Sequence, residues 1–159
     1  MAQRPRAVPL PFSRQNRSLE LVDKPHGQVR LTGRHFELCR VDRERGRELF
    51  RAWFLEQAKL HISPRVTTLA KAMGIGFKRV SVRELKYSWG SCTPGGTLTF
   101  NWRLVQAPAV VMDYVIVHEL AHILEPNHSG EFWNILAVHA PTGSRARQWL
   151  QQNGSRLEW

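Results

Sequence analysis

Two histidines and a glutamate with the spacing of a metal-binding helix stand in the last third of the sequence. His118, Glu119 and His122 form an HExxH motif. On a helix, positions i and i+4 lie on one face, so both imidazoles can bind one metal ion. Glu119 lies about 100° further around the helix. From there its carboxylate can reach a water activated by the metal without being a ligand itself. A catalytic zinc site has three protein ligands and one open position, so the pattern requires a third ligand.

His128 is the candidate for that third ligand, six residues beyond His122. Pro126 and Asn127 end the helix between the two histidines and turn the chain back. Metzincins have the same ligand spacing, but Glu125 stands here where those proteins have the glycine that breaks the helix. No methionine follows in the sequence, so the methionine turn of the metzincins is absent as well.

This set of residues predicts a zinc-dependent hydrolase. Three neutral imidazoles leave the +2 charge of the ion intact, and that charge acidifies its water toward neutrality. Glu119 then takes the proton as the water attacks and passes it to the leaving group. A peptide bond is the simplest target, although the same chemistry also suits a phosphoanhydride. Two incidental core histidines are the less favoured interpretation, because without a metal each buried ring nitrogen needs a hydrogen-bond partner.

Helices are predicted around and after the motif. An apolar helix begins after Pro108 and ends before Pro126, and it carries the HExxH segment. Ser129 is the predicted N-cap of a short helix. Pro141 is predicted to open a last helix that runs through Leu150. The metal site is therefore expected where the first of these helices meets the second.

Upstream of the motif, the pattern predicts strands and two helices. Short antiparallel strands are expected within residues 18–41, and a β-hairpin over residues 79–104 around a Pro-Gly-Gly turn. Between these segments, a helix is predicted over residues 43–60. A second helix is predicted to begin at Pro64 and to stop near Gly74 or Gly76.

Together these elements predict an α+β, single-domain fold, in which a small antiparallel sheet packs on the HExxH helix and further helices. The domain is expected over residues 18–159. Residues 1–17 contain three prolines and four arginines and are predicted to be a flexible basic arm.

Length and composition exclude several classes of protein. A chain of 159 residues with 42% hydrophobic residues can bury the core of one domain. No run approaches the ~18 apolar residues that a membrane span needs. The first residues lack the apolar stretch of a secretory signal peptide. Two cysteines, Cys39 and Cys92, suit a reducing compartment, so a cytoplasmic protein without membrane association is expected.

The basic charge of the chain lies mostly outside the segment with the motif. The formal net charge is +10, but residues 1–110 carry +12 and residues 111–159 carry −2. Within residues 61–110, five basic side chains could weakly attract a polyanion such as a nucleotide or nucleic acid. These are Lys78, Arg79, Arg83, Lys86 and Arg103. A solvated surface is the favoured interpretation, because no known nucleic-acid-binding pattern accompanies them.

Several blocks around the motif, taken in order, resemble a known family. They are Trp89-Gly90-Ser91-Cys92, Asn101-Trp102-Arg103-Leu104, Pro108, Asp113-Tyr114-Val115-Ile116-Val117 before HELAH, Asn127-His128-Ser129 and Phe132-Trp133. Over roughly residues 45–152, the series resembles the YgjP-like metallopeptidase domain, a relative of the SprT-like zinc proteases within the zincins.

The resemblance implies that His118, His122 and His128 are the zinc ligands and that Glu119 is the catalytic base. It also implies that the strand around residues 97–102 lies above the metal, where a peptide or protein substrate adds as a further strand.

Two alternatives to a peptidase remain open at this point. Members of the family have been assigned hydrolysis of UTP to UMP and pyrophosphate, so the same site could serve a nucleotide pyrophosphohydrolase. The other alternative is a nucleic-acid-associated protein with a structural metal. Three histidines with an open fourth position argue against it, since structural sites are usually closed and rich in cysteine.

Four residues near the motif have less specific interpretations. Cys92 and Trp133 are interpreted as packing residues, with Trp133 beneath the metal-binding helix. Tyr114, one turn before His118, suits packing as well as a hydrogen bond to an oxyanion. Asp113 is expected either to accept a hydrogen bond from a ligand imidazole or to stabilise the start of its helix.

Overall fold

Four α-helices and two small sheets form a single α+β domain in the computed structural model, which describes residues 17–24, 27–33 and 35–157. The predicted basic arm lies outside these residues, apart from Arg17. The strands are β1 (Ser18–Val22), β2 (Arg30–Thr32), β3 (His35–Cys39), β4 (Arg79–Arg83), β5 (Gly90–Cys92) and β6 (Thr97–Asn101). The helices are α1 (Gly46–Met73), α2 (Ala109–Leu124), α3 (Gly130–His139) and α4 (Gly143–Asn153).

Both sheets are mixed, so the expectation of antiparallel sheets is wrong. In the first sheet, β3 lies in the centre, parallel to β1 and antiparallel to β2. In the second sheet, β6 lies in the centre, parallel to β4 and antiparallel to β5. Parallel neighbours need a crossover of about a dozen residues. In each sheet the segment between the parallel strands is long enough for this, and it contains the third strand.

The hairpin expected over residues 79–104 is confirmed only for its second half. The Thr93–Gly96 turn joins β5 to β6, with a hydrogen bond from the Gly96 N–H to the Thr93 carbonyl and a positive φ of 81° at Gly96. The centre of the sheet belongs to β6 because its side chains from Leu98 to Asn101 are buried. β4 and β5, which have fewer buried side chains, lie at its two edges.

One long helix, α1, replaces the two helices predicted on either side of Pro64. The proline removes one backbone hydrogen bond, at a cost of about 3 kcal/mol. That bond would have ended on the carbonyl of Leu60, a residue that is 64% exposed, so water can hydrate this group. A continuous buried stripe crosses the proline, and each fully buried aliphatic side chain contributes about 1.5–3 kcal/mol. The stripe consists of Leu49, Phe54, Ala58, Ile62, Val66 and Ala70.

The helix with the HExxH motif, α2, is the central element of the domain and has the predicted extent. It packs against α1, α3, α4 and β5, and most of its side chains are buried in the main hydrophobic core. It ends at Leu124, directly before Glu125 and Pro126. No helix in the described part of the chain has both the length and the apolar character to cross a bilayer.

A bidentate ion pair ties α1 to α2. The Arg65 guanidinium donates two hydrogen bonds of 2.7 Å to the carboxylate of Asp113. Both side chains are largely shielded from solvent, with about a quarter of their surface exposed. Asp113 therefore neither accepts a hydrogen bond from a ligand imidazole nor acts mainly at the helix N-terminus, because its carboxylate pairs with Arg65 instead.

We expect Asp113→Asn to lower the free energy of unfolding by about 1–2 kcal/mol, because a charge-assisted bidentate pair is lost and Arg65 is left partly shielded. Urea denaturation followed by circular dichroism measures the change. Glu56→Gln is the matched control, since Glu56 pairs with Lys59 in an exposed position and should contribute less than about 0.5 kcal/mol. Equal losses in the two variants would contradict a special role for the Arg65–Asp113 pair.

Candidate metal centre

Three imidazoles meet at the point where α2 ends and α3 begins. His118 and His122 lie one turn apart on α2, and His128 lies just before Ser129, the N-cap of α3. Candidate ligand atoms of the three rings lie within 4.8 Å of one another. His118 and His122 are half-buried and His128 is exposed, so the cluster is open to solvent on one side.

The connection between the two helices brings His128 back onto α2. Nδ1 of His122 lies 3.1 Å from the carbonyl oxygen of Glu125, and the Asn127 N–H donates to the side chain of Glu125. The Ser129 hydroxyl then accepts a hydrogen bond from the N–H of Phe132, which starts α3 as predicted. These local contacts fix how far His128 lies from the motif helix.

A single buried aromatic ring supports all three imidazoles. Phe132 is fully buried, and its ring centroid lies 5.0 Å from that of His118, 4.5 Å from that of His122 and 4.9 Å from that of His128. The His122 ring is stacked on it, and the other two rings meet it at steep angles. Phe132 was noted in the sequence only as part of the resemblance. Its position four residues after His128 and three after the helix cap is the local signal for this role.

Burial keeps His118 neutral. Burial lowers the pKa of His118 to about 4, and the nearby charges of His122, His128 and Arg147 act in the same direction. A neutral imidazole is the form that binds a metal ion. Nδ1 of His118 is buried and has no hydrogen-bond partner among the described residues. Packing between Tyr114 and Phe132 therefore holds the orientation of this ring.

The distance between the ring nitrogens of His118 and His128 fits a zinc ion. Nε2 of His118 lies 3.3 Å from Nε2 of His128. Two nitrogens that each lie about 2.0–2.1 Å from a tetrahedral ion are about 3.3 Å apart. The contact between Nδ1 of His122 and the Glu125 carbonyl leaves the Nε2 of that ring available as a ligand atom. The donor set, three imidazoles with an open side, is that of a catalytic site rather than a structural one.

Glu119 is buried beside this cluster, against the edge strand of the second sheet. It is 7% exposed, and burial raises its pKa to about 7. A carboxyl group that titrates near neutrality is suited to accept and return a proton. A Cβ atom built on Gly90 would lie 2.8 Å from Cγ and 3.0 Å from Oε1 of Glu119. A glycine at position 90 of β5 therefore leaves the room that this carboxylate occupies.

The close packing of Gly90 on Glu119 is a feature of the site that sequence analysis did not identify. Gly90 appeared there only within the Trp-Gly-Ser-Cys block of the resemblance. A glycine inside a strand often marks a close approach of another group, and that rule is the signal that could have found it.

The strand next to α2 is β5, not the strand around residues 97–102 as expected. β6 has β4 on one side and β5 on the other, so neither of its edges is open. β5 packs against α2, and it lies at the edge of the sheet within the described part of the chain. An extended chain can therefore pair with β5 but not with β6.

Trp133 and Cys92 were both interpreted from the sequence as packing residues, and the structure places them differently from one another. Trp133 is 40% exposed and stacks on the ring of His128, with 6.0 Å between the ring centroids, so the expectation of a core position is wrong. Cys92 is half-buried and packs against the main core. Burial, followed by the charge of Glu119, raises the pKa of its thiol, which suits a packing residue.

The basic side chains expected to attract a polyanion are partly engaged within the protein. Arg103 donates to Glu84 at 2.7 Å and lies over the ring of Trp102. Glu84 also pairs with Arg51. Lys86 lies over the ring of Tyr87. Neither these contacts nor the comparisons below support a nucleotide or polyanion partner.

The fold is similar to that of two solved metallopeptidase zymogens. Abylysin of Pyrococcus abyssi is 24% identical, with a TM-score of 0.52 over 60% of this chain and 94% of that chain. Jannalysin of Methanocaldococcus jannaschii is 22% identical, with a TM-score of 0.51 over 57% of this chain and 94% of that chain. At these identities the likeness shows a shared fold.

The sequence profile described as YgjP-like, metallopeptidase domain, matches residues 9–153. The chain belongs to the YgjP-like metallopeptidase family. The match begins well before residue 45, where the resemblance had been placed, and it includes the first sheet. None of the curated proteins compared with the chain matches it.

We expect Gly90→Ala to reduce hydrolysis of an unfolded protein by about 10²-fold, because the new methyl group displaces the Glu119 carboxylate and a misplacement of about 1 Å can cost that much. Cleavage of fluorescently labelled casein measures the loss, and a crystal structure of the variant shows the displacement. Gly95→Ala is the control, because a Cβ there meets nothing closer than Thr93 Oγ1 at 3.9 Å. Unchanged activity of Gly90→Ala would contradict the close packing of β5 on Glu119.

Proposed function

We propose that this protein is a zinc-dependent peptidase in which His118, His122 and His128 hold the ion and Glu119 is the general base. The observation that carries the proposal is the convergence of three imidazoles beside the buried carboxylate of Glu119, which lies on the same helix as His118 and His122. Membership of a metallopeptidase family supports a peptide or protein substrate.

Each side chain of the cluster has a separate role in this proposal. The three imidazoles bind through neutral rings, and their orientation depends on Phe132. Glu119 accepts the proton of the attacking water and returns it to the amine that leaves. A bound zinc ion supplies Lewis-acid chemistry, which polarises the scissile carbonyl and lowers the pKa of the attacking water.

The open edge of β5 supports an extended substrate. A peptide that pairs with the strand Gly90–Cys92 lies along α2, since β5 packs against that helix. Main-chain hydrogen bonds then provide affinity without regard to sequence. Gly90, which is in contact with Glu119, places this edge directly beside the proposed base.

Glu119→Gln is expected to keep the zinc ion and to lower the rate of casein cleavage by about 10²–10⁴-fold, because the amide cannot accept the proton. Metal analysis of purified protein and a cleavage assay measure the two effects. Glu131→Gln serves as the matched control, since Glu131 is exposed in the first turn of α3.

Two outcomes of that experiment would overturn the proposal. One is a Glu119→Gln variant that cleaves casein as fast as the wild type. The other is turnover of UTP that depends on Glu119 while casein, offered in parallel, remains intact, which would favour the nucleotide pyrophosphohydrolase.

His128→Ala is expected to weaken zinc binding by more than about 100-fold, since loss of even an outer partner of a metal ligand costs 10–100-fold. Competition with a chromogenic chelator measures the affinity. His139→Ala is the control, because His139 is exposed at the end of α3 and is outside the cluster. Equal zinc affinity in both variants would exclude His128 as a ligand.

A further inference from the structure

A small cavity lies beside the three-histidine cluster, among α2, α3 and α4. Its volume is about 250 Å³, and its walls include Tyr114, Trp133 and Arg147. Two of these walls also contact the cluster. The ring of Tyr114 lies 6.0 Å from that of His118, and the ring of Trp133 lies 6.0 Å from that of His128. A group in this cavity is therefore separated from the proposed ligands by a single aromatic ring on each side.

The walls of the cavity are mostly apolar, with Ser144 as a small polar residue and a single charged side chain. Leu136, Ala137 and Pro141 line it together with the two aromatic rings, and Arg147 is the only charged residue among the described residues that do so. Gly143 allows α4 to come this close, since a Cβ there would lie 3.0 Å from the Tyr114 ring. Such a cavity suits a ligand with an apolar body and one negative group.

Arg147 contacts an aromatic ring but has no acidic partner in the described part of the chain. Its guanidinium lies over the ring of Trp133, 5.3 Å from the centroid, a contact that favours one orientation of the side chain. None of the ion pairs between described residues includes it. Arg147 is exposed, and an exposed guanidinium that stacks on an aromatic ring and has no ion-pair partner among the described residues is available to bind a carboxylate.

We propose that this cavity is a substrate subsite in which Arg147 binds a carboxylate of the peptide next to the bond that is cleaved. The proposal rests on the peptidase function proposed above and narrows its substrates to peptides with a carboxylate at that position. Two peptide groups provide this chemistry, a Glu or Asp side chain and a free C-terminus.

The size of the cavity favours a peptide side chain over a nucleotide. Pockets for small-molecule ligands usually measure about 300–1,000 Å³. At about 250 Å³, the cavity is smaller than this range. One amino-acid side chain fills such a space, whereas a nucleoside triphosphate exceeds it and carries several charges for a single arginine.

A peptide library tests the proposal. Wild-type protein with its metal is incubated with a mixed library that has free C-termini and with the same library amidated, and the cleaved bonds are identified by mass spectrometry. We expect cleavage next to Glu or Asp, or next to a free C-terminus, to be enriched. A good substrate and its Gln or amide counterpart should then differ by about 10- to 100-fold in kcat/KM.

Variants at position 147 separate charge recognition from a structural effect. Arg147→Gln should remove the preference while zinc content and melting temperature stay unchanged, and Arg147→Glu should shift it toward Lys. Arg145→Gln is the matched control, because Arg145 is exposed on the same helix and does not line the cavity.

The failure of this inference can be told apart from failure of the proposed function. Peptide cleavage that depends on Glu119 but shows the same preferences in wild type and Arg147→Gln would overturn the subsite alone. A zinc-loaded wild type that cleaves no peptide would overturn the peptidase, and the subsite with it.

Discussion

Phe132 is the side chain on which the geometry of the candidate site depends. A histidine ring can turn about two side-chain torsions, so three rings converge on one point only if each is held from behind. The fully buried Phe132 ring contacts all three imidazoles, and the Ser129 cap places it in the first turn of α3. Packing thus provides for His118 what a hydrogen bond provides in most metal sites, since its Nδ1 has no partner among the described residues.

The parts of the site that depend on local sequence could be predicted. The convergence of His118 and His122, which are spaced i, i+4, required only that α2 be helical. The apolar composition of this segment supported the prediction of a helix. The helix end before Pro126 and the cap at Ser129 are also local features. The α+β class could be predicted in the same way, since the hydrophobic pattern of each segment has the period of either a helix or a strand.

The parts that depend on contacts distant in sequence could not be predicted. A turn at residues 93–96 identifies the hairpin of β5 and β6, but no local signal shows that β4 pairs with β6 in parallel. The continuity of α1 through Pro64 follows from a buried stripe whose partners lie elsewhere in the chain. Gly90 was missed for a related reason. The side chain that occupies the space of a Cβ at this position is Glu119, which belongs to a helix about 30 residues further on.

The part of the chain that carries the candidate site has few basic side chains, and this favours binding of a cation. The chain carries +10 overall, yet its last 49 residues carry −2 and only three basic side chains. Part of the upstream surplus is engaged by Glu84, which pairs with both Arg51 and Arg103. Nearby like charges lower the pKa of an imidazole and oppose binding of a cation, so a site for a divalent metal benefits from few basic neighbours. Arg147 departs from this pattern, since it lies over the ring of Trp133, which in turn stacks on His128. A cation so close to the three imidazoles, with no ion-pair partner among the described residues, is more easily explained by a negative group that it binds than by stability of the fold.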